Sequence, residues 1–469
     1  MKILLINPII RGSKKPFYFP LGLAYIARTL LNSGHEVEVL DINAYRFTQE
    51  ETIEKIRKSS FDIVGLTGLV TEYLQIKWLA GQIRKFHPET TIILGGGLAT
   101  IAPELILEKS DIDIVVLGEG EETIKELANA IGSGKSLSGV DGIWFKEKEV
   151  IKKNKQRAPI EKLDEILFPA RELFPIEKYL ANPYLRLFDK DLRTTQIITS
   201  RGCPYNCIYC FKDMWGQKFR KRSADNIIEE IISLKDKFNI TGIQIVDDLF
   251  VMDKKRVHEF CDKIKEQDID ITWVANGRVN VMDRPLFQKM RSAGCRVICY
   301  GIESGSQKIL DSLNKGVTVS QAEKALQETW KSGILPHGYL MIGMFDETKN
   351  TIKETVDFCN RNGLIGQFSF VTPIPNTELY NEAKKMGKIP YSEEWVMEHW
   401  GEWNDRILIN LTGMSDSELI SLKKIAERDI LFGSIFNKFF LHLKVISLKN
   451  MVLEGSAKVK EWYLKDYGK

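Results

Sequence analysis

The chain has 469 residues, more than one hydrophobic core usually fills, so two or three domains are expected. Apolar residues at 43% and charged residues at 28% exclude extended disorder, and 66 basic against 63 acidic side chains exclude a surface built for polyanions, so no nucleic acid partner is expected. Seven cysteines, an odd number, argue against a disulfide framework and for a reducing, cytoplasmic compartment. The opening "MKILLINPII" has one charge and a short apolar run ended by Arg11, which fits a buried strand better than a secretion signal. No run approaches the roughly 20 apolar residues of a spanning helix, so no integral membrane segment is expected.

Residues 1–135 alternate short, uniformly apolar runs ("KILLINP", "VEVLDI", "DIVGLTGL", "TIILGGGLA", "DIVVLGEG") with segments of helical period. Strands buried on both faces are what a parallel sheet covered by helices needs. A doubly wound, Rossmann-like (flavodoxin-like) α/β domain follows, whose ligands sit beyond the carboxyl ends of the strands. The last of those ends, "GEGEET", lacks the third glycine of a dinucleotide fingerprint. It carries Glu119, Glu121 and Glu122, which would repel a pyrophosphate. Residues 136–193 read as a linker with a small polar hairpin, "GIWFKEKEVIKKNKQRAP". From 194 to 385 six further βα units ("TTQIITS", "GIQIVDD", "ITWVANGR", "RVICYGIES", "HGYLMIGM", "GQFSFVTPIP") predict a second parallel sheet. Six are too few for an eight-unit barrel, so a partial (β/α)6 TIM-type barrel is expected. Residues 386–469 have helical period and no strand pattern.

Directly after the first strand of the second series, "TSRGCPYNCIYCF" places Cys203, Cys207 and Cys210 in the spacing C-x3-C-x2-C. A barrel concentrates its active-site loops at such a strand end. Thiolates hold iron–sulfur clusters, and a four-iron cubane with three protein ligands leaves one iron open to a chelating substrate. Gly202 and Pro204 suit a loop wrapped closely on a cluster. Zinc competes for the same ligands but wants four of them, usually as two spaced pairs. No second C-x2-C exists here. Cys261, Cys295, Cys299 and Cys359 fall in apolar helix or strand patterns, as buried small hydrophobes do.

With the aromatic Tyr209 before its last cysteine, this loop resembles that of the radical S-adenosylmethionine (SAM) superfamily. The resemblance implies that SAM chelates the open iron of a [4Fe-4S] cluster and is cleaved to a 5′-deoxyadenosyl radical. It further implies SAM contacts from Tyr209, from Asp247 and Asp248 in "IQIVDDLF", from Glu303 and Ser304 in "CYGIESGSQKIL", and from Gly343 in "LMIGMFDET". Paired aspartates at a strand end also serve as helix caps or turn formers. Two motifs depart from the family pattern: Phe345-Asp346 replaces Pro-Gly, and Asn376 replaces the glycine after Pro375.

The first domain, through "GGGLATIAPELI" and "DIVVLGEGEETIKEL", is similar to the cobalamin-binding group of that superfamily. Thr67, Gly68, Gly95, Gly96 and Gly97 are the implied corrinoid contacts, with Asp41 and Asn43 from "DINAYR". That stretch aligns with Asp-x-His-x-x-Gly but has Asn43 for the histidine and Arg46 for the glycine, so no imidazole ligand to cobalt is expected from it. Leu98 stands where the family has another histidine. The implied activity is methylation of an unactivated carbon, with relatives that instead perform oxidative cyclisation or ring rearrangement. An external electron donor such as flavodoxin or ferredoxin is implied. Outside that class stand a non-catalytic electron carrier and a cobalamin carrier.

The substrate is expected to be a small molecule, and the apolar, basic tail allows a hydrophobic one. Trp395, Trp400 and Trp403 are expected in a core or lid helix. The lone histidines, His87, His258, His337, His399 and His442, are expected as ordinary surface or core residues, with His337 placed to face the barrel.

Overall fold

The computed structural model describes residues 1–10, 16, 18–58, 60–180, 185, 188–189, 191–281, 283–400 and 406–437. Trp403, His442 and the expected helical stretch from 438 to 469 lie outside the described residues. Among the described residues, one compact unit gathers Met1–Tyr179, Arg201–Lys221 and Thr372–Ile409. The other gathers Leu180–Ser200, Arg222–Val371 and Asn410–Lys469. Both are α/β.

The sheet of the first unit runs β1 (Lys2–Asn7), β2 (Glu36–Asp41), β3 (Ile63–Thr67), β4 (Thr91–Gly95), β5 (Ile114–Val116), β6 (Ile143–Glu147) and β7 (Val150–Lys153). Its spatial order is β2-β1-β3-β4-β5-β6-β7. The first five strands are parallel, in the flavodoxin-like order, with the switch point between β1 and β3. Each apolar run is buried on both faces, as Ile3, Leu4, Leu5 and Ile6 show. The polar hairpin expected within a linker is instead part of this sheet. β6 pairs antiparallel with β5, and β7 with β6. Ile143 and Phe145 point inward to extend the core, and exposed Lys152 and Lys153 guard the free edge. Lys148 (φ 48°) and Glu149 (φ 66°) both turn left-handed, as a two-residue hairpin loop requires.

In the second unit β8 (Thr194–Ile197), β9 (Gly242–Ile245), β10 (Thr272–Gly277), β11 (Cys295–Glu303), β12 (Leu335–Ile342) and β13 (Ile365–Phe370) form a six-stranded parallel sheet in chain order. That is the expected open (β/α)6 arrangement. Its crossover helices begin where a side chain can satisfy their free N–H groups. Ser223, Asp253, Asp283, Thr318 and Thr348 each accept from the backbone of the first turn. The helix Asp416–Asn437 lies against the helix Lys349–Asn362 and β13, with Glu427 accepting from the Phe368 amide at 3.3 Å. No helix among the described residues is long and apolar enough to cross a membrane.

Candidate functional site

The three-cysteine loop has no helix or strand across 202–219 and is held by backbone contacts. The Cys203 amide donates to the Gly216 carbonyl (3.3 Å), the Gly216 amide to the Lys212 carbonyl (2.8 Å), and the Cys210 amide to the Cys207 carbonyl (3.3 Å). The Leu379 amide donates to the Ile208 carbonyl at 3.0 Å, tying the loop to the helix Glu378–Lys385. Gly202 is required by geometry. Its φ is +86°, and an added Cβ would stand 2.2 Å from the Lys218 carbonyl oxygen. Cys210 is exposed, Cys203 half-buried and Cys207 buried.

Among the described residues no three His, Cys, Asp or Glu side chains converge as a single ion would need. A cubane takes one thiolate per iron, so three cysteines in one close-turned loop are a donor set that fits it. The other thiols are of a different kind. Burial pushes Cys261 and Cys299 up to about 12 and raises Cys295 and Cys359 as well, which leaves them protonated and inert.

The acidic strand ends of the second unit divide into saturated and accessible groups. Asp247 is buried and accepts from the Thr199 amide (2.5 Å), the Thr199 hydroxyl (2.5 Å) and the Ser200 hydroxyl (2.6 Å). Arg256 lies 3.7 Å away and itself donates to the Thr199 carbonyl at 2.7 Å. Asp247 therefore pins the β8 end to the β9 end. Its neighbour Asp248 reaches solvent although protein surrounds it closely, and has its carboxyl raised first by desolvation and then by Asp247.

Glu303 sits in the left-handed region (φ 65°), beside a register shift in the β11–β12 pairing. Its carboxylate meets Lys315 Nζ at 2.8 Å, with both side chains buried. A left-handed glutamate at a bulge is the kind of stored strain that accompanies a site. Ser304 is turned away, bonded to the Thr355 hydroxyl at 2.9 Å. Gly343 has φ +105° at the end of β12.

Parallel register fixes which residues share the concave face. Asn276 stands opposite Cys299, Cys299 opposite His337, Tyr339 opposite Gln367, and Met341 opposite Ser369. Tyr339, in an interior strand, is nevertheless 40% exposed, whereas Gly338 and Leu340 beside it are buried. The floor of this face is apolar, with Val274, Val297 and Leu335 packed with Leu185 and Trp330. Above it lie Asn276, His337, Tyr339, Gln367 and Ser369, a polar layer able to hydrogen-bond.

In the first unit the Gly96 turn joins the ends of β3 and β4. Gly96 has φ +87°, and a Cβ there would come 2.9 Å from Thr67 Oγ1 and 3.4 Å from the Gly68 carbonyl. The Leu98 amide donates to that same carbonyl at 2.9 Å. Gly95 opens on free space, and Gly97 meets only Leu69 and the Gly68 carbonyl. Thr67, Gly68, Gly95, Gly96 and Gly97 thus form one backbone-lined patch at the carboxyl ends of adjacent strands, a surface that a flat ligand could approach.

Asp41 and Asn43 behave differently. Asp41 accepts from Asn7 Nδ2 (2.8 Å), the Tyr179 hydroxyl (2.8 Å) and the Ala44 amide (2.9 Å), and burial raises its carboxyl despite these bonds. Asn43 accepts from the Ile10 amide (3.0 Å) and donates to Tyr179 (3.3 Å). Both side chains are spent inside the fold. Arg46 takes the left-handed conformation (φ 55°) that the family's glycine adopts freely, and Asn376 does the same (φ 64°). Leu98, at the other altered histidine position, is fully buried.

Residues 8–128 match the B12 binding domain family, and residues 197–359 match the Radical SAM superfamily. Over 390 residues the chain is 33% identical to an uncharacterized methyltransferase of Pyrococcus horikoshii, covering 82% of this chain and 83% of that one. The chain belongs to the cobalamin-binding-domain radical SAM family. It is 26% identical to the cytidylyl-2-hydroxyethylphosphonate methyltransferase of Streptomyces wedmorensis, over 93% of this chain and 90% of that one. Its fold is similar to that of the radical S-adenosylmethionine methyltransferase TsrM from Kitasatospora setae, solved with cobalamin and a [4Fe-4S] cluster. The TM-score is 0.69 at 21% identity, covering 83% of this chain and 75% of that one. This radical SAM protein is therefore an enzyme.

Sequence reasoning missed Lys315, Thr355 and Tyr179, the partners of Glu303, Ser304 and Asp41. No local motif marks any of the three.

Proposed function

We propose that this enzyme is a cobalamin-dependent radical SAM methyltransferase that adds a methyl group to an unactivated carbon of a small molecule. The observation that carries the reading is similarity running through both units to proteins named as methyltransferases, over 82% and 93% of this chain. When bound, the cluster with SAM supplies a 5′-deoxyadenosyl radical and the corrinoid supplies the methyl group.

The chain's own residues have separable tasks. Cys203, Cys207 and Cys210 hold the cluster and leave one iron for SAM. Asp248 and Glu303, with Tyr209 and the backbone at Gly343, hold SAM, while Asp247 and Ser304 fix the strand ends from which the first two project. Thr67, Gly68, Gly95, Gly96 and Gly97 would seat the corrinoid on a largely backbone surface. Asn43, committed to Ile10 and Tyr179, stands where the family's histidine would be, so a corrinoid held here would find no imidazole ligand in that loop. The polar layer of Asn276, His337, Tyr339 and Gln367 supports a substrate that offers hydrogen-bonding groups. Corrinoid binding belongs to residues 1–135 and radical formation to residues 194–385. The reducing electron comes from a carrier such as flavodoxin or ferredoxin.

The test is anaerobic purification with corrinoid supplied, cluster reconstitution, and reduction with SAM present. Deoxyadenosine formed together with S-adenosylhomocysteine supports methyl transfer. Deoxyadenosine alone would replace methyl transfer with a non-methylating radical reaction, and neither product would overturn the reading.

A further inference from the structure

The carboxylates that spoil "GEGEET" as a phosphate loop have another use. Glu119 and Glu121, at the end of β5 and the start of the helix Glu121–Gly132, meet two arginines that bracket the cysteine loop. Arg201 lies two residues before Cys203, and Arg220 ten residues after Cys210. Arg201 Nη2 pairs with Glu121 Oε1 at 2.5 Å, and Arg201 Nη1 with Glu119 Oε2 at 3.3 Å. Arg220 Nη2 pairs with the other oxygen of Glu119. The four side chains are between 2% and 9% exposed.

Both ends of the loop are thus fastened to one carboxylate. The Ile160 amide donates to Glu119 at 2.9 Å, while Arg220 donates to the Ile160 carbonyl (2.6 Å) and the Trp215 carbonyl (2.7 Å). The Arg201 guanidinium also lies over the Trp215 ring, 4.6 Å from its centroid. The same strand-end loop touches the distal limb of the cysteine loop. The Gly118 amide donates to Thr100 Oγ1 at 3.0 Å, and that hydroxyl is 3.7 Å from Met214 Sδ. A Cβ at Gly118 would stand 3.6 Å from the Met214 carbonyl.

Buried ion pairs are a poor source of net stability, because desolvation offsets most of their attraction. They do fix geometry, and the segment from 202 to 219 has no helix or strand to fix its own. We propose that Glu119 and Glu121 are positioning residues for the cluster-binding loop, clamping Arg201 and Arg220 so that Cys203, Cys207 and Cys210 are presented to the cluster in one arrangement. The inference rests on the loop being the cluster site. It makes the corrinoid-type unit a structural determinant of radical formation, apart from any corrinoid it holds.

Removing one partner alone would strand a buried charge, so the decisive variant removes both. In the double variant Arg201→Met with Glu121→Met, an apolar side chain of similar length keeps contact with Trp215 and no charge is left unpaired. A milder variant, Glu121→Asp, keeps the charge and shortens its reach. Hydrogen exchange on the apo full chain should quicken across 203–216 in both variants and stay unchanged in the helix Ala224–Phe238. After reconstitution, the EPR change on adding SAM should be lost in the double variant and reduced in Glu121→Asp. Deoxyadenosine formation should fall by about 10²-fold in the double variant, the scale of a misplacement of roughly 1 Å.

A folded variant with wild-type exchange, EPR response and rate would overturn the inference. Should the double variant not fold, Glu121→Asp decides by the same readings. Wild-type protein that assembles no cluster would instead overturn the reading of the loop itself.

Discussion

Acidic residues stand at strand ends in both units, yet they do unlike work. In the first unit Glu119 and Glu121 are consumed by Arg201 and Arg220, and Asp41 by Asn7, Tyr179 and the Ala44 amide. In the second unit Asp247 is consumed by Thr199 and Ser200, while Asp248 one residue later keeps its access to solvent. Between Asp247 and its neighbour Asp248, the difference lies in the local supply of donors, not in the place in the topology. A saturated carboxylate should register in stability when removed, and an accessible one in binding.

The largest effect lies outside that contrast and calibrates it. Cys203→Ala should remove cluster iron and all deoxyadenosine formation while far-UV circular dichroism stays unchanged. Next, Asp247→Ala leaves Arg256 and several donors buried without their acceptor. It should cost about 3–5 kcal/mol, read as a large fall in melting temperature. Asp248→Asn should melt as the wild type does and instead weaken SAM binding about tenfold, the scale of one hydrogen bond to a charged group. A stability loss at Asp248 equal to that at Asp247 would erase the distinction.

The raised carboxyl of Asp248 adds a pH signature. Its ionised form, the one proposed to pair with the amino group of SAM, is lost as pH falls through its raised pKa. Affinity should therefore weaken at a pH above the ordinary carboxylate range, and Asp248→Asn should flatten that dependence. The smallest effect is Tyr179→Phe, which removes one donor to Asp41 and should lower stability by about 1–2 kcal/mol in thermal unfolding, with SAM binding unchanged.

Strands were legible because apolar runs such as "ILLI" and "IQIV" can be buried on both faces only in a helix-covered parallel sheet. The cysteine loop was legible because its chemistry is local in sequence. The hairpin at 143–153 was visible, but not its attachment to β5, since pairing with a three-residue strand depends on tertiary proximity. The fate of the acids was not legible for the same reason. Glu121 and Arg201 are 80 residues apart, and Asp41 and Tyr179 are 138 apart. Asp247 and Asp248 are adjacent in the chain, and nothing local says which of them meets the donors of Thr199 and Ser200. Arg46 and Asn376 mark left-handed positions that could be inferred from the glycine each replaces in the family pattern.

The most direct measurement of the central claim is pulsed EPR on the reduced, reconstituted protein with SAM labelled with 15N at its amino group and 17O at its carboxylate. Hyperfine coupling from both labels is expected if SAM occupies the iron that Cys203, Cys207 and Cys210 leave open. A reduced cluster without such coupling, and with a spectrum unchanged by SAM, would contradict it.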